Sequence, residues 1–242
     1  MTRRTALLAI GLIAPLAATG PACGAADGTG PTVNRVRIVD PAGRLRDHAP
    51  ALESLTRVAL AAASTRLEII GVTITIVPDP GRAIAGWGIG GFAPDAETVT
   101  ISVDPEYPGL AALLPARLPA LVAHELHHAV RHRRPGYGAT LFEAMISEGM
   151  ADRFAIELLG APPPPWSDAL TTGEGARLLE LARPEFDARG YDHPKWFFGT
   201  TAAVPRWTGY TLGFRLVSAY QEAHPGATAA DLVTTPASAF RR

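Results

Sequence analysis

Residues 121–134 read LVAHELHHAVRHRR, and within them His124-Glu125-Leu126-His127-His128 has the spacing H-E-x-x-H. On a helix, positions four apart lie one turn apart on the same face. His124 and His128 therefore turn both imidazoles to one side, with Glu125 beside the first. Two neutral imidazole nitrogens so placed can hold a zinc ion, and the adjacent carboxylate can accept a proton from a water that the metal acidifies. Independent placement of the chain's 7 His yields such a match in on the order of one chain in a hundred, so a solvated His-rich face is the weaker reading. The flanks Leu121-Val122-Ala123 and Ala129-Val130 are apolar and bury the helix. Buried imidazoles beside a carboxylate need partners.

Pro119 suits the first turn of this helix, which the pattern carries to about Arg134 before Pro135-Gly136 stops it. A second helix fits Thr140 to Leu159, closed by Gly160. Upstream, Ala51 to Leu67 has helical spacing, and the β-branched run Ile69 to Val77 (IIGVTITIV) is the best strand in the chain. Ala83 to Phe92 (AIAGWGIGGF) lacks the Lys-Ser/Thr of a phosphate loop and reads as a bulged or twisted strand. After a turn at Ala93–Ala96, Thr98 to Val103 (TVTISV) pairs back. Strands at 69–77, 84–92 and 97–103 thus predict a small antiparallel sheet. Residues 27–49 read as a linker or edge segment, with one short strand at Val33–Val39.

Beyond the second helix lies a stiff proline linker, Ala161–Pro165. Amphipathic helices follow at Glu174–Ala182 and Tyr210–Ala223, and Asp231 starts a short terminal one. Tyr191–Trp207 (YDHPKWFFGTTAAVPRW) is an aromatic loop too long to be only a connector. The expected class is α+β, a zincin-like domain over residues 50–242. Its small antiparallel sheet packs on the motif helix, and a mostly helical C-terminal half follows.

Composition narrows the chemistry. The 242 residues, 47% hydrophobic and 19% charged, suit one domain with a sizeable core. A net charge of −1 leaves no basic footprint for nucleic acid. The single cysteine, Cys23, excludes an intrachain disulfide and a cysteine-rich metal site, so a metal must take nitrogen and oxygen ligands. Residues 1–26 have the form of an export signal: Arg3 and Arg4, an apolar run from Ala6 to Ala18, then small residues to Ala26. That run is short against the roughly 20 residues of a membrane span. Cleavage before Asp27 predicts a secreted, mildly acidic mature chain. Cys23 offers a lipoprotein signal instead, although Gly20-Pro21-Ala22 makes a poor lipobox. A lipid on Cys23 is the one route by which this reading places the chain on a membrane.

A third ligand has to come from elsewhere. Six residues after His128 stands Arg134, where the metzincins carry a histidine. His132 lies two turns, about 12 Å, along the axis from His124, too far to share one ion. A carboxylate on the next helix fits better, and Glu148 is favoured over Glu143 and Glu157. Its neighbours Ile146, Gly149 and Met150 mark a buried face, and Gly149 would let the two helices approach closely. Asp152, one turn on, can accept a hydrogen bond from the far nitrogen of a ligating histidine and fix its tautomer. For stabilising an oxyanion, Tyr210 is the candidate and His193 the second. Trp196-Phe197-Phe198 either lines a substrate pocket or caps the core. His127 faces away from the metal in a structural role, and His48 and His224 look incidental.

The blocks HELHHAVR, TLFEAMISEGMADRFA and GYTLGFRLVSAY, in that order, resemble a family of predicted exported bacterial zinc-dependent proteases of unknown function. These have the H-E-x-x-H…E arrangement of the gluzincins. The resemblance spans roughly residues 50–240. It implies Zn2+ held by His124, His128 and Glu148, with Glu125 as general base. The expected activity is that of a zinc-dependent endopeptidase on a peptide or protein substrate. An edge strand at 84–92 or 97–103 could hold that substrate by strand addition. Two other readings remain: an exported zinc hydrolase of a non-peptide amide of cell-wall type, and a non-catalytic binding protein on the same fold. An intact Glu125 argues against the binding protein, which needs no base.

Overall fold

The β-branched run after residue 69 becomes a strand at Thr73–Pro78 (β2), preceded by Arg35–Ile38 (β1) and followed by Ile89–Phe92 (β3) and Thr98–Val103 (β4). The computed structural model describes residues 33–241. The expected export signal at 1–26, with Cys23, lies outside them. The four strands form one sheet in the order β1-β2-β4-β3. It is mixed, which corrects the antiparallel expectation: β1 pairs with β2 and β2 with β4 in parallel, and only β3 and β4 are antiparallel. The reason is topological. A helix at Ala49–Ser64 (α1) carries the chain across between β1 and β2, as a parallel pair requires. Residues 79–88 then take it to the far side of β4's place, and the turn at 93–97 brings it back.

Two strand expectations shift accordingly. Residues 97–103 are central, so they offer no free edge; β3 is the edge on that side. Of the stretch 84–92, only Ile89–Phe92 pairs, because Gly86 and Gly88 have φ of 83° and 78° and turn the chain. The strand glimpsed at 33–39 is β1, so this part of the supposed linker belongs to the sheet. Ile74, Ile76, Val99 and Ile101 alternate onto one face and are fully buried.

The motif helix, α2, runs from Leu110 to Arg133 and starts nine residues before Pro119. Leu110, Leu114, Leu118 and Leu121 at helical spacing bury one face, and this stripe outweighs Pro115 and Pro119 inside the helix. The carbonyls that those prolines leave without a partner belong to Ala111 and Pro115, both exposed, where water can reach them. The next helix, α3 (Leu141–Leu159), opens with a capping box between Thr140 and Glu143 and closes at Gly160 with φ 63°. Helices α4 (Thr172–Ala182) and α5 (Thr208–Ala223) follow.

One core lies between the sheet, α1 and α2, and a second among α3, α4, α5 and the aromatic segment. Trp196 and Phe197 are wholly buried in the second, so they cap the core. Gly149 does permit a close helix crossing, but against α5. A Cβ there would lie 2.3 Å from the Gly213 carbonyl carbon, and one on Gly213 would lie 1.8 Å from the Met145 oxygen. No helix starts at Asp231; its carboxylate closes a turn with Thr228, and a 3-10 turn at Ala237–Phe240 ends the chain's secondary structure.

Candidate metal centre

Helical spacing on α2 sets the rings of His124 and His128 edge to face, with centroids 4.6 Å apart and their Nε2 atoms 3.0 Å apart. From α3, Glu148 brings Oε2 to 3.1 Å from His124 Nε2 and 3.3 Å from His128 Nε2. All three side chains are buried, and they are the group among the described residues able to hold a metal ion. A tetrahedral zinc site with bonds of about 2.0–2.1 Å places neighbouring ligand atoms about 3.3 Å apart, so the observed triangle fits such an ion.

Donor chemistry agrees. His124 Nδ1 lies 2.8 Å from Asp152 Oδ1. A carboxylate can only accept, so Nδ1 carries a proton and Nε2 is the nitrogen left for a metal. It faces a second imidazole nitrogen and a carboxylate oxygen, an arrangement that a cation satisfies. Burial lowers the His124 pKa, yet Asp152 and Glu148 overbalance that and hold it well above the ordinary histidine value. The field that attracts a proton there attracts a metal. Burial also raises the Glu148 carboxyl, but His128 and His124 bring it well below the usual glutamate range. His128 has no comparable anchor. Its Nδ1 is buried without a partner, and the ring is oriented by packing on Tyr137 at 5.4 Å.

Glu125 sits on the sheet side of the centre. Burial pushes its carboxyl up to about 8, against the lowering effects of His124 and the Ala93 backbone. Strand β3 passes directly over it: a Cβ on Gly91 would lie 2.4 Å from Glu125 Oε1, so any larger residue would displace the carboxylate. The edge strand and the prospective base are therefore neighbours.

Sequence reasoning misses three residues here. Tyr137, in the connection between α2 and α3, donates its hydroxyl to Glu148 Oε1 at 2.6 Å. Burial pushes its phenol pKa well up, with Glu148 adding to the shift, so it remains a donor. Trp166 Nε1 donates to Asp152 Oδ1 at 3.0 Å, and Ser167 Oγ donates to Oδ2 at 2.5 Å. All three lie in connecting segments, where no periodicity marks a position. The available signal for the last two is that the run Pro162–Pro165 delivers a tryptophan and a hydroxyl to one place.

The other expected residues fall as follows. Tyr210 lies in the first turn of α5, with its ring 5.0 Å from Phe197 and 6.5 Å from Trp166. Burial, then the charges of Glu148, Asp152 and Glu125, raise its pKa well above the ordinary tyrosine value. His193 pairs its Nδ1 with the Tyr191 hydroxyl at 2.9 Å and stacks on Phe197. His127 points away, towards the Ala229 carbonyl and Phe154. His132 reaches the Ala93 carbonyl instead of the centre. Glu143 caps α3, and Glu157 accepts from Gln221 and the Ala229 amide. His48 and His224 stand at the ends of α1 and α5.

A family model described as "Predicted Zn-dependent protease (DUF2268)" matches residues 55–242, and the chain belongs to this family. Among curated proteins, it is similar to "Uncharacterized protein YjfC" of Bacillus subtilis (strain 168), 22% identical over 162 residues. That match takes in 61% of this chain and 52% of the relative, so the chain spans about half the relative's length. No solved structure matches.

Proposed function

With that membership as the premise, we propose that the protein is an exported zinc-dependent endopeptidase with a zincin-like domain. Zn2+ is held by His124, His128 and Glu148, and Glu125 is the general base. The observation that carries this reading is the convergence of the two Nε2 atoms and Glu148 Oε2 within 3.3 Å of one another, beside Glu125 and an edge strand. Zinc bound there supplies a Lewis acid that acidifies water and polarises a carbonyl.

The chain's own residues do the rest. Glu125, beside the prospective ligand His124, takes a proton from the attacking water and returns it to the leaving amine. Asp152 keeps His124 in the tautomer that leaves Nε2 free, and Tyr137 holds Glu148 by its other oxygen. Tyr210 supplies a hydroxyl to the developing oxyanion. The edge of β3 beyond the Ile84–Ile89 backbone bond receives an extended peptide by strand addition, which lays its carbonyls beside Glu125. Export through residues 1–26 places this activity outside the cytoplasm, with Cys23 as the alternative lipid anchor.

Metal analysis of the purified mature protein together with a peptide-library digest tests the proposal. About one zinc per chain and discrete cleavage products are expected. A zinc-loaded protein that leaves every peptide intact but opens a cell-wall amide would make it a hydrolase of the other class.

A further inference from the structure

A cavity of about 230 Å3 opens beside the metal centre, between the first half of α2 and the second half of α3. His124 and Asp152 form its inner end. Trp87 and Trp166 line it with their rings edge to face, centroids 4.6 Å apart, and the run Pro162–Pro165 supplies a stiff outer wall. Its volume lies below the roughly 300–1,000 Å3 that encloses a whole drug-sized ligand, so it suits a single side chain.

Polar groups in the lining are already engaged. Trp166 Nε1 donates to Asp152, and Asp152 in turn accepts from His124. Arg117 donates to the Trp87 carbonyl at 2.6 Å and lays its guanidinium over the Trp87 ring at 5.4 Å. Among the described residues it forms no ion pair. A basic side chain entering here would meet the Arg117 guanidinium, and the one acid in the lining, Asp152, is already bonded to His124, Trp166 and Ser167. An aromatic or large aliphatic side chain would meet indole and proline surface.

Position along a substrate follows from His124, which itself lines the cavity. An extended peptide advances about 3.3 Å per residue, so a side chain seated there belongs to a residue within about four of the bond held beside His124.

We propose that this cavity is the specificity subsite of the enzyme. It takes an apolar, preferably aromatic, side chain within about four residues of the scissile bond and rejects lysine and arginine. The inference rests on the peptidase reading and deepens it.

Two measurements decide it. In the first, the zinc-loaded protein digests peptides that vary at each position around the cleaved bond among Phe, Leu, Ala, Lys and Glu. One position within four residues should favour Phe over Ala by about 10-fold or more in kcat/KM and exclude Lys. Filling the cavity with Ala120→Trp should reduce that Phe/Ala ratio about tenfold, and Ala116→Phe at the exposed mouth provides the same test if the first variant does not fold. An unchanged ratio in a folded variant overturns the inference while leaving the peptidase reading intact. The second measurement needs no turnover. Tryptophan fluorescence of the zinc-loaded Glu125→Gln protein is titrated with the same peptides, and Phe peptides should perturb it at concentrations at least about tenfold below those of Lys peptides. Equal response to both overturns the subsite. A Phe-selective response in a protein that cleaves no peptide supports the cavity and sinks the peptidase reading.

Discussion

The Tyr137 hydroxyl donates to Glu148 Oε1 at 2.6 Å, which leaves Oε2 as the oxygen facing His124 and His128. A carboxylate with one oxygen committed in this way is oriented before any ion arrives. Tyr137→Phe removes the hydroxyl and keeps the ring that packs on His128. Zinc affinity should fall about 10-fold, the lower end of what losing an outer partner of a ligand costs, with no change in the far-UV spectrum. Chelator competition measures it, and an affinity equal to the parent's would remove Tyr137 from the account.

Glu148→Ala should lose zinc far more completely than Tyr137→Phe, because it deletes a donor atom. Glu143→Ala, five residues earlier on the same helix, should bind zinc as the parent does, since its carboxylate is occupied by the helix cap. Equal losses in Glu148→Ala and Glu143→Ala would contradict the assignment of the third ligand.

Turnover and metal binding should separate at Glu125. Glu125→Gln keeps the side chain's shape under Gly91 but cannot take a proton. Peptide hydrolysis should drop by at least about 100-fold, with zinc remaining near one per chain. Loss of the metal along with activity would give Glu125 a structural role.

Asp152 joins His124, Trp166 and Ser167 through one carboxylate. Asp152→Ala strands all three buried partners, each unmet polar group costing about 1–3 kcal/mol. Denaturant melts should show a loss of stability of several such increments, and zinc affinity should fall about 10–100-fold. A variant as stable as the parent would mean that these bonds are replaced by water.

Acid should weaken the start of α3. Burial raises the Glu143 carboxyl, but hydrogen bonds from the Ala139 and Thr140 amides and the Thr140 hydroxyl, with the Arg189 charge, together outweigh it and hold the pKa below the ordinary value. A lowered folded-state pKa stabilises the fold above the unfolded value of about 4.3 and stops doing so as pH falls through the folded one. Glu143→Gln should therefore cost about 1 kcal/mol at pH 7, and the difference should shrink in the acid range. Urea melts of both proteins at neutral and acid pH provide the comparison.

Much of this molecule was legible in its sequence because helices report themselves locally. The four-residue spacing of His124 and His128, the buried face around Glu148 and the one-turn step to Asp152 all follow from 3.6 residues per turn. Local patterns also gave the hairpin between β3 and β4, since a turn and alternating residues suffice for an antiparallel pair. Other features needed the chain's path through space. Parallel pairing of β2 with β1 and β4 depends on where α1 and residues 79–88 carry the chain, and a strand's own residues carry no mark of direction. Pro119 pointed to a late helix start, while the leucine stripe from Leu110, anchored in the first core, won. Gly149 signalled a close approach, yet only the packed structure chose α5 as the partner. Tyr137, Trp166 and Ser167 reach the centre from loops, where side-chain direction is decided by long-range contacts. The sequence by itself put forward His124, His128 and Glu148 as the group for a metal, which the structure brings together, and Glu125 as the candidate base. Tertiary packing decided how they are braced and what stands beside them, because braces come from segments with no period of their own.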